Sequence, residues 1–232
     1  MRREQYRARM TSPDYRILVL LQDFLMDELA ASVSGETLVI DIGCGEQPFR
    51  RVIEAYRGRY LGVDVSQNSR RTVSLLAGLS GLPFADGCAD VILCTEVLEH
   101  VPDARVAISE MARVLRPGGR IICTTPFLYP LHEEPHDYTR MTTSYLSTLA
   151  RDYGLAVVRL EKLGAALDVL ATLWCHMWAG GPAYGNPVGR LLRAAMRLSV
   201  NAVASAAARL RGAAEPRRLY LSNVCVYRKG TT

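Results

Sequence analysis

The 232-residue sequence lacks the features that define several common classes of protein. Its six cysteines are scattered and include no C-x-x-C pair, which argues against a disulfide framework and against a structural zinc site. The chain starts with charged residues, and no apolar stretch with a small-residue cleavage site follows them. No secretory signal is therefore predicted. The sequence also contains no internal repeat and no low-complexity tract. We therefore expect a cytoplasmic globular protein.

The composition fits one domain of ordinary size. Apolar residues make up 49% of the 232 positions, which is enough to bury one substantial core, and we expect a single domain over 1–232. The net charge is +5, with the basic surplus at the start of the chain and between 190 and 229. Such basic regions can bind phosphates or lipid headgroups, although a solvated surface is the simpler interpretation.

Strand and helix patterns alternate along the first part of the sequence. A Ser12-Pro13 pair followed by apolar residues at helical spacing predicts a leading helix within 1–36. Short apolar runs, typical of buried strands, then alternate with amphipathic helical patterns, which predicts a parallel sheet with helices on both faces. The predicted strands are 37–42, 60–64, 89–95, 119–125, 155–160 and 219–227. The predicted helices include 49–56 and 104–115, and we expect the helix 104–115 to end in a turn at 117–119.

A stretch rich in alanine, leucine, valine and arginine, 164–212, precedes the last predicted strand. We interpret it as a helical lid or insertion between a cofactor-binding core at 37–163 and a final strand within 217–229. Its first part is strongly apolar but too short to cross a bilayer. Its second part, 188–210, is amphipathic, with apolar residues on one side and arginines largely on the other. Such a helix can lie on an anionic membrane surface, cover a hydrophobic pocket or form a homodimer contact.

Glycines and aspartates at the ends of the first two predicted strands indicate an adenosine-containing cofactor. The first strand ends in Asp41-x-Gly43-x-Gly45, and glycine lets a ligand approach the backbone closely. Asp64 ends the next strand about twenty residues later, where a carboxylate can accept hydrogen bonds from both hydroxyls of a ribose. A dinucleotide fingerprint would need a third glycine where this chain has Pro48, so a nicotinamide oxidoreductase is disfavoured.

Further segments between residues 38 and 126 follow one another in a recognisable order. They read VIDIGCG at 39–45, YLGVDVS at 60–66, LPFADG at 82–87, ADVI at 89–92, EVLEHV at 96–101 and RVLRPGG at 113–119. This series resembles the class I S-adenosylmethionine-dependent methyltransferases, in their small-molecule subgroup. The resemblance implies a Rossmann-like α/β fold, in which a seven-stranded, mostly parallel sheet has an antiparallel last strand and the helical insertion precedes that strand. It also implies S-adenosyl-L-methionine as the cofactor.

The resemblance assigns cofactor contacts to individual positions. Gly43 and Gly45 would line the methionine end, Asp64 would hold the ribose, and Asp41 would orient the turn or meet the methionine amine. Family members often carry an acidic residue before the LPF motif to bind adenine, whereas this chain has AGLSG at 77–81. The backbone groups of Leu79 and the hydroxyl of Ser80 are the alternative partners. The full set of expected cofactor-binding residues is Asp41, Gly43, Cys44, Gly45, Asp64, Val65, Leu79, Thr95 and Glu96.

A loop after the predicted strand 119–125 concentrates ionisable side chains. It lies at the carboxyl end of a strand, where open parallel sheets bind ligands. An imidazole there can take a hydroxyl proton, and a neighbouring carboxylate can fix its tautomer. We predict His132 or His136 as a general base and Asp137 as a catalytic carboxylate; the alternative is that Asp137 only anchors the loop. The cluster has no diagnostic ligand spacing, so no metal is expected, and we interpret His100 as a packing or capping residue.

The acceptor expected from these observations is a small or amphiphilic organic molecule. A sugar, a lipid-linked saccharide or a secondary metabolite would be methylated on oxygen in preference to nitrogen. An RNA methyltransferase is the alternative, but a nucleic-acid partner is disfavoured because TEVL at 95–98 stands where base-methylating enzymes carry Asn or Asp, two prolines and an aromatic residue. A non-catalytic module that only binds S-adenosylmethionine also stays open.

Overall fold

The computed structural model describes residues 8–178, 187–210 and 218–231. Arg2, Arg3 and Arg7 at the start of the chain lie outside these ranges, as do residues 179–186 and 211–212 of the 164–212 insertion. The strands are β1 (Leu38–Ile42), β2 (Arg59–Asp64), β3 (Leu75–Leu76), β4 (Ala89–Thr95), β5 (Leu115–Pro126), β6 (Leu155–Leu163) and β7 (Ser222–Lys229). The α-helices of the described residues are α1 (Tyr15–Ser32), α2 (Arg50–Ala55), α3 (Ala104–Val114), α4 (Thr143–Asp152), α5 (Ala166–Met177) and α6 (Pro187–Leu210).

The seven strands form one sheet in the order β3-β2-β1-β4-β5-β7-β6. Neighbours from β3 to β5 pair in parallel, whereas β7 runs antiparallel to both β5 and β6. The helices α5 and α6 lie between β6 and β7 in the chain. The predicted fold class is therefore confirmed, including the antiparallel last strand and the helical insertion before it.

Alternating side chains of the strands build a hydrophobic cluster on each face of the sheet. Ile40 and Ile92 pack into a cluster that includes α3 and α4, while Val39 and Val91 pack into another that includes α1 and α2. Because both faces are covered, the central strands are mostly apolar, as expected for a parallel sheet. The free cysteines of β4, β5 and β7 lie within these faces, fully buried.

Two local predictions differ from the structure. The strand β5 begins at Leu115, so the expected turn at 117–119 is wrong and the prolyl-glycyl segment belongs to the strand. A residue before proline is restricted to extended conformations, which favours a strand at Arg116, and Gly118 takes a φ of +77° where the β4–β5 register shifts. The strand β3 has two residues and was not predicted, because so short a pairing leaves no periodic pattern in the sequence.

The helical insertion packs on the leading helix. The side chains of Arg16 on α1 and Asp168 on α5 form a buried ion pair with Nε 2.8 Å from Oδ1, and Arg16 also donates to the Ser205 hydroxyl on α6 at 3.0 Å. These contacts join three helices on one face of the sheet. Among the described residues, no helix combines the length and apolarity that a membrane crossing requires.

Candidate active site

A tight turn between β1 and α2 leaves space beside the backbone. Gly43 and Gly45 have φ angles of +69° and +50°, a conformation that residues with side chains rarely adopt. A Cβ atom on Gly43 would lie 2.3 Å from Cγ2 of Val97, which is much closer than carbon atoms pack. The turn therefore needs glycine at Gly43 both for its backbone conformation and because the Val97 side chain occupies the place of a Cβ.

The carboxylate of Asp64 ties this turn to the end of β2. The Gly45 N–H donates to Oδ2 of Asp64 at 2.9 Å, and the Ser66 N–H donates to Oδ1 at 3.2 Å. Each carboxylate oxygen has more than one acceptor direction, so Asp64 keeps capacity for further donors. Its side chain lines the same cavity as the two glycines of the turn.

Asp41 lies behind the turn. Its buried carboxylate accepts a hydrogen bond from the Tyr60 hydroxyl at 2.6 Å, and it does not line the cavity. Burial raises the pKa of Asp41 to about 7, although the Tyr60 hydrogen bond lowers it. Of the two roles expected for Asp41, the geometry supports orientation of the turn.

A cavity of about 200 Å³ lies at the carboxyl ends of β1, β2 and β4. Open α/β sheets bind their ligands at this edge. The lining comes from the turn after β1, the end of β2, the segment that follows β3, the segment that follows β4 and the loop after β5. The lining residues are Ile42, Gly43, Gly45, Asp64, Val65, Ala77, Gly78, Leu79, Glu96, Val97, His100, Val101, His132 and Glu133.

Most of the predicted cofactor-binding residues lie in this cavity. Gly43, Gly45, Asp64, Val65, Leu79 and Glu96 line it, whereas Asp41, Cys44 and Thr95 do not. Cys44 instead turns its thiol toward Gly62, where an added Cβ would lie 2.9 Å from the sulfur. Thr95 is the buried last residue of β4, and the chain turns into the cavity only at Glu96, whose φ is +52°.

Glu96 is held at the end of β4 by contacts with two neighbouring strands. Its N–H donates to the carbonyl oxygen of Thr124 at 3.0 Å, and the Ser222 hydroxyl donates to Oε1 at 3.3 Å. Burial raises the pKa of Glu96 to about 7, although hydrogen bonds from the side chains of Thr124 and Ser222 lower it. The side chain is thus a fixed polar group at the floor of the cavity.

Two histidines meet on one side of the cavity, which we call the histidine side and define by Glu99, His100 and His132. The Nε2 atoms of His100 and His132 are 3.1 Å apart. Oε1 of Glu99 lies 3.7 Å from Nε2 of His100 and 3.9 Å from Nε2 of His132. Burial, and then the proximity of His100, lowers the pKa of His132, whereas burial raises the pKa of Glu99 well above its ordinary value.

The loop after β5 is anchored by Asp137. The Arg140 guanidinium donates to both carboxylate oxygens, at 2.5 Å to Oδ1 and 2.7 Å to Oδ2, and the His132 N–H donates to Oδ2 at 2.9 Å. The Arg140 hydrogen bonds hold the pKa of Asp137 at about 2. The Tyr138 N–H donates to the carbonyl oxygen of Glu99 at 2.8 Å. Asp137 does not line the cavity, so it is a positioning residue for His132.

The two predicted base candidates occupy different places. His132 lines the cavity, but the exposed side chain of His136 does not. The ring of His136 instead has Nδ1 3.0 Å from the Tyr138 hydroxyl, and its backbone oxygen lies 2.7 Å from Nδ1 of His100. His136 thus contributes its backbone oxygen to hold His100, while its side chain stays outside the cavity.

Two cavity-lining residues of the EVLEHV segment, Val97 and His100, are not among the site residues predicted from the sequence, although Glu96 is. His100 lines the cavity, although it was interpreted as a packing or capping residue. Its position directly after β4, at the carboxyl edge of the sheet, was the available signal. Val97 was missed because its contact with the Gly43 turn depends on strands that are distant in sequence.

The helical insertion does not form the expected cover over the cavity in its described part. No described residue of α5 or α6 belongs to the cavity lining. The insertion reaches the histidine side only through Tyr129. The ring of His176 on α5 packs edge-on against Tyr129, and Tyr129 packs edge-on against His132, each with ring centroids 5.4 Å apart. Packing on α1 draws both helices onto the face of the sheet and away from its edge.

Known proteins with similar sequences include methyltransferases. A family model described as a methyltransferase domain matches residues 40–123. An uncharacterised 37.1 kDa protein in transposon Tn4556 of Streptomyces fradiae is 34% identical over 163 residues, which are 57% of this chain and 47% of that protein. The ubiquinone biosynthesis O-methyltransferase of Cupriavidus pinatubonensis is 28% identical over 155 residues, 54% of this chain and 62% of that enzyme. The chain thus spans between about half and two thirds of the length of these relatives.

Solved structures with the same fold are more distant in sequence. A putative sarcosine dimethylglycine methyltransferase from Galdieria sulphuraria superposes with a TM-score of 0.61 at 16% identity, covering 92% of this chain and 87% of that one. The Haemonchus contortus phosphoethanolamine N-methyltransferase 2, solved in complex with S-adenosyl-L-methionine, has a TM-score of 0.61 at 13% identity and covers 90% of this chain and 52% of that one. At this identity the likeness establishes the fold alone.

Proposed function

Because this chain belongs to the class I S-adenosylmethionine-dependent methyltransferases, we propose that it methylates a hydroxyl oxygen of a small or amphiphilic organic molecule. Sugars, lipid-linked saccharides and secondary metabolites are the acceptor classes. The observation that carries this proposal is one cavity lined by the Gly43 turn, Asp64 and the imidazoles of His100 and His132. The name of the Cupriavidus relative supports oxygen as the methylated atom.

The residues around the glycine turn fit S-adenosyl-L-methionine, the cofactor that family membership confirms. Gly43 and Gly45 expose the backbone of the turn at the wall of the cavity, and Asp64 keeps acceptor capacity for the ribose hydroxyls. Leu79 and Val65 provide apolar surface in the same cavity. When bound, the cofactor supplies a methyl group on a positively charged sulfur, which is a good leaving group.

The chain's own residues have to align the acceptor and keep water out. Alignment in a closed site can account for much of the rate of such a displacement. The acceptor oxygen gains the methyl group and gives up its proton, so polar groups are needed beside it. Among the described residues that line the cavity, the imidazoles of His100 and His132 are the nitrogen side chains available, and Asp137 holds the backbone of His132 in place.

A binding and transfer experiment tests the proposal. Calorimetry should show binding of S-adenosylhomocysteine and no binding of NAD, because Pro48 stands in place of the glycine that a dinucleotide needs. Radiolabelled methyl transfer to a panel of hydroxylated metabolites then identifies the acceptor. The His132→Ala variant should lower kcat by about a hundredfold or more, whereas His136→Ala is the matched control in the same loop and should keep kcat.

Each outcome has a defined meaning. A protein that ignores S-adenosylhomocysteine would disprove the cofactor assignment. A protein that binds it yet methylates no hydroxylated acceptor would favour the non-catalytic alternative. Equal turnover by the His132→Ala variant and the wild type would remove His132 from the transfer step.

A further inference from the structure

Three hydrogen-bond acceptors converge on the histidine side with no donor between them. The side chain of Glu99 is 1% exposed, and neither carboxylate oxygen has a hydrogen-bond partner among the described residues. A buried carboxylate without partners is strongly unfavourable. The facing Nε2 atoms of His100 and His132 lie 3.7 and 3.9 Å from its Oε1 atom.

The partners of the Nδ1 atoms determine whether each Nε2 atom carries a proton or a lone pair. Nδ1 of His100 lies 2.7 Å from the carbonyl oxygen of His136, which can only accept, so Nδ1 carries the proton. Nδ1 of His132 lies 3.3 Å from Oδ2 of Asp137 and 3.4 Å from the carbonyl oxygen of Pro130, and both are acceptors. In each neutral ring Nε2 therefore presents a lone pair, and the two lone pairs face each other and Glu99.

We propose that Glu99, His100 and His132 bind a divalent transition-metal ion on the histidine side of the cavity. Lone pairs and a carboxylate in close proximity repel one another unless a proton or a metal cation lies between them, and a metal ion can bind all three groups at once. A tetrahedral zinc site with bonds of about 2.0–2.1 Å separates its ligand atoms by roughly 3.3 Å. The separations here are 3.1, 3.7 and 3.9 Å, so small side-chain movements would complete the site.

The surroundings match those of known metal sites. Metal-binding histidines usually donate their second N–H to a carbonyl or carboxylate, and here Nδ1 of His100 faces the carbonyl oxygen of His136 and Nδ1 of His132 that of Pro130. Two imidazoles and one carboxylate suit zinc and its neighbours in the first transition series. A set of three protein ligands leaves a coordination position open, which is typical of catalytic sites.

The open coordination position on the ion indicates which class of acceptor would bind there, and this part of the inference rests on the proposed function. A hydroxyl oxygen bound to the ion would lose its proton to solvent more readily, because the cation stabilises the resulting negative charge. The methyl group would then form its bond to that oxygen as its bond to the cofactor sulfur breaks, and the electron pair of that bond would stay on the sulfur. Acceptors with a phenol or with adjacent hydroxyls suit the site, since they can bind the ion through oxygen. In this arrangement His132 is a metal ligand and not a base.

Metal binding can be measured without any methyl transfer. The full chain, freed of metal by a chelator, should bind Zn²⁺ in calorimetry, and Co²⁺ should give visible absorption bands typical of nitrogen and oxygen ligands. The His100→Ala and His132→Ala variants should each weaken Zn²⁺ binding by at least about tenfold. The His136→Ala variant is the matched control and should bind Zn²⁺ like the wild type, because only its backbone contacts His100. Thermal melting checks that all variants fold.

The outcomes separate this inference from the proposed function. Absence of Zn²⁺ and Co²⁺ binding, or equal binding by wild type and both ligand variants, would overturn the metal site even if methyl transfer is found. Metal binding that depends on His100 and His132, in a protein that ignores S-adenosylhomocysteine, would support the site and disprove the proposed function. Methyl transfer at an unchanged rate in the presence of chelator would overturn the role of the ion in activating the acceptor.

A separate observation concerns the outward surface of the helical insertion. Every exposed residue of α5 is apolar, and the large exposed side chains of α6 are mainly apolar as well. Helices of soluble proteins normally turn polar residues outward. The residues that form this outward apolar face are Leu167, Leu170, Leu173, Trp174 and Met177 of α5 and Val188, Leu191, Leu192, Leu198, Val203 and Leu210 of α6.

The charge of the insertion favours an anionic surface over a second copy of the chain. The sequence has no acidic residue between Asp168 and Glu215 but five arginines. Arg190 and Arg209 are exposed on α6, the helix that carries part of the apolar face. Two such surfaces from identical chains would bring arginines together, whereas anionic lipid headgroups complement them. We infer that the outward apolar face docks on an anionic lipid bilayer.

Vesicle sedimentation tests this inference. The full chain should bind vesicles that contain phosphatidylglycerol more strongly than vesicles of pure phosphatidylcholine, and salt should weaken the binding. The double variant Leu170→Gln with Leu192→Gln should reduce binding by about tenfold or more, because both apolar side chains leave the bilayer. The Val106→Gln variant is the matched control, since Val106 is exposed on α3 at the other face of the sheet.

Light scattering on the same proteins completes the test. Failure of the wild type to bind anionic vesicles would overturn the inference. A dimer that dissociates in the double variant, with no vesicle binding by the wild type, would assign the outward apolar face to a second copy of the chain.

Discussion

Replacement of Asp64 by alanine is expected to weaken S-adenosylhomocysteine binding by between about a hundredfold and ten-thousandfold. Two hydrogen bonds from ribose hydroxyls to a charged acceptor contribute roughly 1.5–3 kcal/mol each, and alanine removes both. Asp64 also accepts the Gly45 N–H at 2.9 Å, so the substitution loosens the turn that carries Gly43. Calorimetric titration of the purified variant measures the effect.

Two controls distinguish loss of the ligand contact from loss of the fold. The Asp64→Asn variant keeps an oxygen for the Gly45 N–H and should bind S-adenosylhomocysteine between wild type and Asp64→Ala. The Asp86→Ala variant removes a surface carboxylate whose side chain is 79% exposed, and it should leave binding unchanged. Wild-type affinity in a folded Asp64→Ala variant would contradict the placement of the ribose.

Replacement of Arg16 by methionine is expected to lower the free energy of unfolding by roughly 3–5 kcal/mol. The substitution leaves Asp168 buried without its partner, since the two side chains of the ion pair are only 6% and 5% exposed. Asp168 also accepts the Ala165 N–H at 2.9 Å at the start of α5, so an uncompensated charge there disturbs the docking of the insertion on α1. Denaturant unfolding followed by circular dichroism measures the change.

A surface ion pair provides the matched control for this prediction. Arg50 and Glu54 are about half exposed and lie one helical turn apart, so Arg50→Ala should change stability by no more than about 0.5 kcal/mol. The double variant Arg16→Met with Asp168→Asn should recover part of the lost stability, because it removes the unpaired charge. A loss below about 1 kcal/mol in Arg16→Met would show that Asp168 gains another partner or reaches solvent.

The cofactor side of the cavity was predictable because its residues lie close together in sequence. The turn from Asp41 to Gly45 and the aspartate that ends β2 are local features of two adjacent strands, and the motif order places them at one edge of the sheet. The exceptions are side chains whose direction depends on packing. Cys44 and Thr95 belong to the expected motif, but their side chains do not line the cavity.

The histidine side was less predictable because it joins segments that are far apart in the chain. His132 was singled out from its loop, while Glu99 and His100 belong to the segment after β4. Glu99 and His100 are adjacent, and His132 follows 32 residues after His100. This spacing matches no diagnostic metal-binding pattern, so the sequence predicts no metal. Only the pairing of β4 with β5 brings the two segments to neighbouring strand ends.

The sequence by itself determined the alternation of strands and helices, the glycine turn with its paired aspartate, and the amphipathic character of α6, because each depends on periodicity or on short motifs. The tertiary structure alone decided the direction of side chains relative to the rest of the molecule. It placed His100 against His132, directed His136 away from the cavity and turned the apolar side of α6 outward. A helical pattern shows that a helix has two unlike faces, but packing against α1 and α5 decides which of them meets solvent.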